Sequence, residues 1–266
     1  MTYRTNSVRA LLSTLLCVLG ACATGSLEDP IPTATYPKST SEPARALVIM
    51  LPGAGDRVGV YDERGFVGAL RESGMDVDML EVDAHYGYYK SRTLMERMGS
   101  DVLAPNRDRY DQIWIVGISM GGIGALLTAW TYPEDIDGLV LIAPYLGRRK
   151  TLEQISRAGG LAKWQPPAEQ GEWDLEIWRM LKQVSEGESD TPQIWLMYGV
   201  DDFGVRAHEL LAAGLPAERV ETTSGGHAWD TWTRLWATLM VARPFVVEDA
   251  RTRDSAASEA AASASP

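Results

Sequence analysis

A glycine–serine motif stands between an apolar run and a segment of small residues with helical character. Within residues 111–131 the motif reads Gly117-Ile118-Ser119-Met120-Gly121. Glycines two positions before and two positions after the serine let a strand and a helix pass closely on either side of a sharp turn. The pattern therefore predicts a strand, a strained turn and a helix, with the Ser119 hydroxyl exposed at the tip of the turn.

The rest of the chain alternates apolar runs with helical patterns. Strands are predicted at residues 46–51, 76–82, 138–143, 193–198 and 219–222, and helices near residues 63–72, 91–103, 205–211 and 229–241. Continuous apolar runs indicate strands buried on both faces, as in parallel sheets that carry helices on each side. The predicted fold class is therefore α/β, with a mainly parallel sheet and helices on both faces. Within residues 229–241, tryptophans recur at helical spacing, which favours a core stripe.

Three side chains that follow predicted strands are candidates to act with the serine. His227 lies in a polar, Gly-rich turn, and Asp201 and Asp202 follow the strand at residues 193–198. Of the three histidines, His208 and His227 come after both the serine and the aspartates. A serine nucleophile needs a base to take its proton and an acid to orient that base. His208 lies within a helical pattern and is expected to be a surface or half-buried residue.

Over roughly residues 44–242 the chain resembles the α/β-hydrolase superfamily. The family pattern Gly-x-x-Asp-x-x-Val falls on Gly199, Asp202 and Val205, which favours Asp202 over Asp201 as the acid. The resemblance implies that Ser119 is the nucleophile, that His227 is the general base, and that Asp202 orients the imidazole.

The resemblance also implies an oxyanion hole. The strand at residues 46–51 ends in the loop Pro52-Gly53-Ala54-Gly55-Asp56, where the family has a His-Gly-x-Gly-like sequence. By this resemblance the donors are the backbone N–H groups of Ala54 and Met120. An ordinary Gly-rich turn is the alternative interpretation of the loop.

Between Pro144 and Pro192 the regular alternation stops, at the position where family members insert a lid. A small helical lid is expected at about residues 145–191, with its tryptophans forming an apolar pocket, and Trp164 is a candidate substrate-binding residue. The alternative is a connecting helix pair whose tryptophans pack on the sheet. The segment 83–90, predicted to be a loop, supplies His85 as a second candidate for substrate binding.

The first 21 residues have the layout of a secretory signal peptide. Arg4 and Arg9 precede the apolar stretch 10–19, which is too short to span a bilayer comfortably. The closing Leu19-Gly20-Ala21-Cys22 resembles the lipobox of bacterial lipoproteins, which implies lipidation of Cys22. We therefore expect a protein of the bacterial cell envelope, lipid-anchored, at the outer membrane facing the periplasm.

Composition predicts where the tether, the hydrolase domain and the C-terminal tail begin and end. Residues 22–43 are predicted to be a Pro-rich tether that carries the lipidated cysteine, residues 44–246 the hydrolase domain, and residues 247–266 a disordered Ala/Ser-rich tail. The net charge of −11 argues against a nucleic-acid partner. Because Cys17 would leave with the signal peptide and Cys22 would be acylated, the mature domain offers no thiol for cysteine catalysis or zinc, and no cofactor or metal is expected.

These observations predict a lipid-anchored serine hydrolase that cleaves a small-molecule carboxylic ester through an acyl-enzyme intermediate. Alternatives are a thioesterase, an amidase or peptidase of the same fold, and an envelope binding protein that retains the fold without turnover. Covalent labelling by a serine-directed probe separates the enzymes from the binding protein.

Overall fold

A seven-stranded sheet organises the molecule. The computed structural model describes residues 26–38, 42–168, 172–188 and 191–245. Its strands are β1 (Thr33–Tyr36), β2 (Ala46–Leu51), β3 (Val77–Val82), β4 (Gln112–Ile118), β5 (Gly138–Ile142), β6 (Gln193–Gly199) and β7 (Val220–Thr223). The strand order is β1-β3-β2-β4-β5-β6-β7. All neighbours pair in parallel except β1, which is antiparallel to β3.

Helices cover both faces of the sheet. They are α1 (Val60–Glu63), α2 (Phe66–Glu72), α3 (Tyr86–Ser91), α4 (Leu94–Arg97), α5 (Met120–Thr131), α6 (Arg149–Arg157), α7 (Trp173–Glu186), α8 (Val205–Ala212) and α9 (Trp229–Ala242). A π-helical turn, Met98–Leu103, follows α4. In the described part of the chain, none of these helices has the length and apolar character needed to cross a membrane.

The continuous apolar runs arise because the central strands have no solvent-facing side. On β2, Leu47, Ile49 and Leu51 pack into the core on one face of the sheet. Alternate residues of the same strand, such as Val48 and Met50, pack into the core on the other face. Side chains of a strand alternate between faces, so burial on both sides requires an apolar residue at every position. The predicted α/β fold class is confirmed.

The carboxyl ends of β2 and β4 open a crevice at the centre of the sheet. These two strands are neighbours, but the chain leaves β2 toward β3 and leaves β4 toward β5. The connections that follow the two strands therefore diverge, and this leaves a gap at the sheet edge where ligands of α/β proteins bind. The loop 52–56 and the Ser119 turn face each other across this gap.

The segment predicted to be a tether includes an edge strand. Strand β1, which lies within the predicted tether at residues 22–43, pairs with β3. Ile31, just before this strand, is buried. Prolines on both sides of the Thr-Ala-Thr-Tyr strand are tolerated because an edge strand leaves one side of its backbone unpaired. The predicted signal peptide (residues 1–21), the lipidated Cys22 and the tail (residues 247–266) lie outside the described residues.

Residues 83–90, expected to form a loop, contain most of helix α3 instead. His85 is the N-cap of this helix, and its Nδ1 accepts a hydrogen bond from the Gly87 N–H at 3.0 Å. A histidine acceptor at this position can start a helix in the way that Ser or Asp does. His85 therefore has a structural role at the start of α3, and its side chain is buried.

Candidate active site

Ser119 occupies the tight turn between β4 and α5. Its backbone has φ 52° and ψ −111°, and its N–H donates to the Ile142 carbonyl at 3.0 Å. A Cβ at position 117 would overlap the carbonyl of Gly121, and a Cβ at position 121 would overlap the carbonyl of Leu51. Helix α5 therefore lies so close to β4 at position 117, and to the end of β2 at position 121, that the motif requires both glycines.

His227 connects the serine to a buried aspartate. The Ser119 hydroxyl lies 2.8 Å from His227 Nε2, and His227 Nδ1 lies 2.7 Å from Asp202 Oδ2. The second carboxylate oxygen, Asp202 Oδ1, accepts from the Gly204 N–H at 2.7 Å. Burial acts to raise the pKa of the Asp202 carboxyl, but the hydrogen bonds from His227 and Gly204 outweigh it, so this pKa lies below its usual range. Asp202 is therefore anionic at neutral pH and holds the Nδ1 proton of His227.

The neighbouring Asp201 makes different contacts. Its Oδ2 accepts from the Gly225 N–H at 3.1 Å, and its own N–H donates to the Gly225 carbonyl at 3.0 Å. These two bonds tie the end of β6 to the turn that carries His227. The structure brings Asp202 to the imidazole and leaves Asp201 to hold that turn in place.

Two backbone N–H groups adjoin the serine at the predicted oxyanion site. Ala54 and Met120 both line the cavity next to Ser119, and within the described residues neither N–H donates to a protein acceptor. Met120 is the first residue of α5, where N–H groups lack intrahelical partners. The loop that contains Ala54 begins directly after Leu51. The buried Tyr61 hydroxyl donates to the Leu51 carbonyl at 2.7 Å, and this bond holds the start of the loop in place.

His208 is buried behind the acid, contrary to the expectation of a surface or half-buried residue. Its Nε2 lies 2.9 Å from the Pro144 carbonyl, and the next residue, Tyr145, donates its N–H to the Ser119 carbonyl at 3.0 Å. Burial lowers the pKa of His208, so the ring is neutral at neutral pH. His208 thereby links the helix after the acid to the segment that supports the serine turn.

The sequence contained a signal for this burial. His208 follows Val205 by three residues and precedes Leu211 by three, so it lies on the apolar stripe of α8. An imidazole on such a stripe is buried with the stripe, and then needs a hydrogen-bond partner, which the Pro144 carbonyl provides.

A cavity of about 550 Å³ opens beside the serine and is walled mainly by aromatic rings. Besides Ala54, Ser119 and Met120, it is lined by Tyr86, Tyr89, Lys90, Ile123, Leu127, Tyr145, Trp173 and Phe203. Phe203 also packs on the imidazole of His227, with ring centroids 4.5 Å apart. Neither of the two candidate substrate-binding residues, His85 and Trp164, lines this cavity.

The segment predicted to be a lid contains α6 and α7. Two of its tryptophans, Trp164 and Trp178, are buried in the main core, and the Trp178 Nε1–H donates to the Leu146 carbonyl at 2.8 Å. Only Trp173, half-buried at the start of α7, lines the cavity. The expectation that Trp164 binds substrate is wrong, because Trp164 lies in the core. An apolar residue in a connecting segment is also buried when that segment packs on the sheet.

Comparison with known proteins gives a family match and a sequence relative. Residues 42–168 match the model of a family described as serine aminopeptidase, S33. This match includes the loop after β2 and the Ser119 turn but ends before Asp202 and His227. An acetyl esterase from Caldicellulosiruptor saccharolyticus is 24% identical over 187 residues, which are 61% of this chain. The aligned part spans 65% of the length of that relative.

Solved structures of other proteins share the fold at low sequence identity. An S-formylglutathione hydrolase from Staphylococcus aureus superposes with a TM-score of 0.52 at 14% identity, over 77% of this chain and 82% of the other. A fluorophosphonate-binding serine hydrolase from the same species gives 0.51 at 14% identity, over 80% and 91%. The chain is similar to serine hydrolases of the α/β-hydrolase fold in part of its sequence and in its fold, and Ser119, His227 and Asp202 lie in a Ser–His–Asp arrangement.

Proposed function

We propose that this protein hydrolyses a carboxylic ester through an acyl-enzyme formed on Ser119. The observation that carries the proposal is the position of His227, which lies 2.8 Å from the serine hydroxyl and 2.7 Å from the Asp202 carboxylate. An imidazole held between a hydroxyl and an anionic carboxylate is arranged to take the hydroxyl proton. The exposed aromatic cavity beside it gives an ester access to the nucleophile.

The reaction follows from this geometry in two halves. Ser119 Oγ attacks the ester carbonyl while His227 Nε2 takes its proton, and the developing oxyanion is bound by the N–H groups of Ala54 and Met120. The imidazolium then protonates the departing alcohol, which leaves an acyl group on Ser119. A water molecule, deprotonated by His227, releases the acid by the same steps. Each oxyanion donor contributes about 3 kcal/mol to stabilisation of the transition state.

Ester chemistry is favoured over peptide chemistry by the charge of the cavity. The acetyl esterase supports an ester, whereas the family description names an aminopeptidase. An aminopeptidase substrate carries an N-terminal ammonium group, which binds next to a carboxylate. Among the described residues that line the cavity, Lys90 is the only charged one, and it repels an ammonium group.

Acyl-enzyme formation is tested by pre-steady-state kinetics with p-nitrophenyl esters of increasing acyl length. We expect a burst of p-nitrophenol equal to the enzyme concentration, and a mass increase equal to the acyl group on the peptide that contains Ser119. A matched series of p-nitrophenyl thioesters and p-nitroanilides, compared with the esters by kcat/KM, ranks ester, thioester and amide bonds as substrates. Turnover of the esters without a burst or an acylated serine peptide, even at low pH where deacylation is slow, contradicts the covalent route.

We further propose that the protein is lipid-anchored in the bacterial envelope through Cys22. The basic start, the short apolar stretch and the Leu19-Gly20-Ala21-Cys22 sequence support this. The protein is expected to fractionate with membranes and to incorporate labelled fatty acid in cells, and Cys22→Ala is expected to lose the label. Cys17→Ala is the matched control and retains it. A wild-type protein that is soluble, unlabelled and cleaved at another position contradicts the anchor.

A further inference from the structure

We infer that the cavity beside Ser119 selects esters whose larger part is an aromatic group bearing a negative charge, and that Lys90 is the residue that recognises this charge. The inference rests on the proposed esterase function and concerns the same site. Its basis is the combination of ring-lined walls with a single cationic side chain in the cavity that also contains the nucleophile.

Helix α3 presents this cation to the cavity. Tyr86, Tyr89 and Lys90 are spaced three and four residues apart, which places them on one face of the helix, and all three line the cavity. The Tyr89 hydroxyl donates to the Met120 carbonyl at 3.1 Å, at the start of the helix that follows Ser119. Because this bond ties α3 to the serine turn, the backbone of Lys90 is held near the nucleophile, and its flexible side chain reaches into the cavity from there.

The walls of the cavity favour a flat apolar group. Five of the lining side chains are aromatic, namely Tyr86, Tyr89, Tyr145, Trp173 and Phe203. Three of them are exposed although they are large and apolar: Tyr86 by 46%, Tyr145 by 41% and Phe203 by 76%. Exposed aromatic surface concentrated around a nucleophile indicates a binding site, since a planar group placed between the rings removes this surface from water.

The charge of the site is opposite to that of the protein. The chain has a net charge of −11, and yet no acidic residue lines this cavity in the described part of the chain. Lys90 is exposed and forms no ion pair with a described carboxylate, so its ammonium group is available to a ligand. A second cation, Arg92, lines an adjoining cavity. That cavity shares Tyr89, Leu127 and Trp173 with the cavity beside Ser119. Glu172 also lines that second cavity, so the anion site is assigned to Lys90.

The test compares esters that differ only in charge. One set places the ring in the alcohol part: 4-acetoxyphenylacetate, its neutral carboxamide and a trimethylammonium analogue. A second set places the ring in the acyl part: methyl 4-carboxycinnamate and its carboxamide. The measured quantity is the ratio of kcat/KM for the anionic ester to that for the neutral ester. We expect a ratio of about three to five in one of the sets, as for a solvent-exposed ion pair.

Three variants assign the preference to its residue. Lys90→Gln is expected to bring the ratio to about one, and Lys90→Glu to favour the trimethylammonium ester instead. Lys150→Gln removes the same charge from an exposed position that does not line the cavity, and is expected to keep the wild-type ratio. A ratio of one in both sets, or a preference that persists in Lys90→Gln, overturns the inference while leaving the esterase intact. Absence of any turnover or acyl-enzyme counts against the esterase function itself.

Discussion

Replacing Ser119 by alanine is expected to abolish ester turnover and fluorophosphonate labelling while the fold is retained. Removing the nucleophile of a Ser–His–Asp site lowers kcat by about six orders of magnitude, because the histidine and the aspartate then have no hydroxyl to activate. The substitution removes one oxygen from an accessible turn and leaves Gly117 and Gly121, which the close approach requires, in place. Turnover of p-nitrophenyl esters and labelling detected on a gel measure the two effects.

The control for this variant is a serine outside the cavity. Ser156 lies on α6, away from the cavity beside Ser119, and Ser156→Ala is expected to keep wild-type labelling and turnover. The thermal unfolding midpoint of both variants shows whether the fold is retained. If Ser119→Ala is still labelled to the wild-type extent, the nucleophile is a different residue and the proposed mechanism is wrong.

The sequence predicted the sheet and the turn at Ser119 well because both depend on local patterns. Strand β2, predicted at residues 46–51, has those bounds, since a strand buried on both faces leaves an unbroken apolar run. The Ser119 turn was recognisable because close approach of backbone leaves only glycine possible at two nearby positions. Both features can therefore be recognised from short stretches of consecutive residues.

What the sequence did not predict depends on contacts between distant segments. The position of Trp164 in the core depends on how residues 145–191 pack on the sheet, and composition alone does not distinguish a core tryptophan from one that lines a cavity. Strand β1 forms because β3 offers an open edge, which is a property of another part of the chain. The role of His208 likewise depends on a carbonyl 64 residues away in sequence.

The second large effect is expected from Asp202→Asn, which should lower kcat by about four orders of magnitude without removing a contact. The asparagine amide has one oxygen, and the Gly204 N–H, now 2.7 Å from Asp202 Oδ1, holds that oxygen in place. The NH₂ group must then face His227 Nδ1, which becomes an acceptor. The imidazole proton moves to Nε2, so His227 no longer accepts the proton of Ser119.

Asp201→Asn is the matched control because it makes the same chemical change one residue away. An amide oxygen at position 201 still accepts from the Gly225 N–H, and the backbone bond between residues 201 and 225 is unaffected. We therefore expect Asp201→Asn to lower kcat by less than about tenfold, in line with the modest net value of one exposed hydrogen bond. Steady-state kinetics on both variants with one p-nitrophenyl ester decides between the aspartates. If Asp201→Asn shows the larger loss, Asp201 orients His227 during turnover, and the bond between Asp202 and His227 is not the catalytic one.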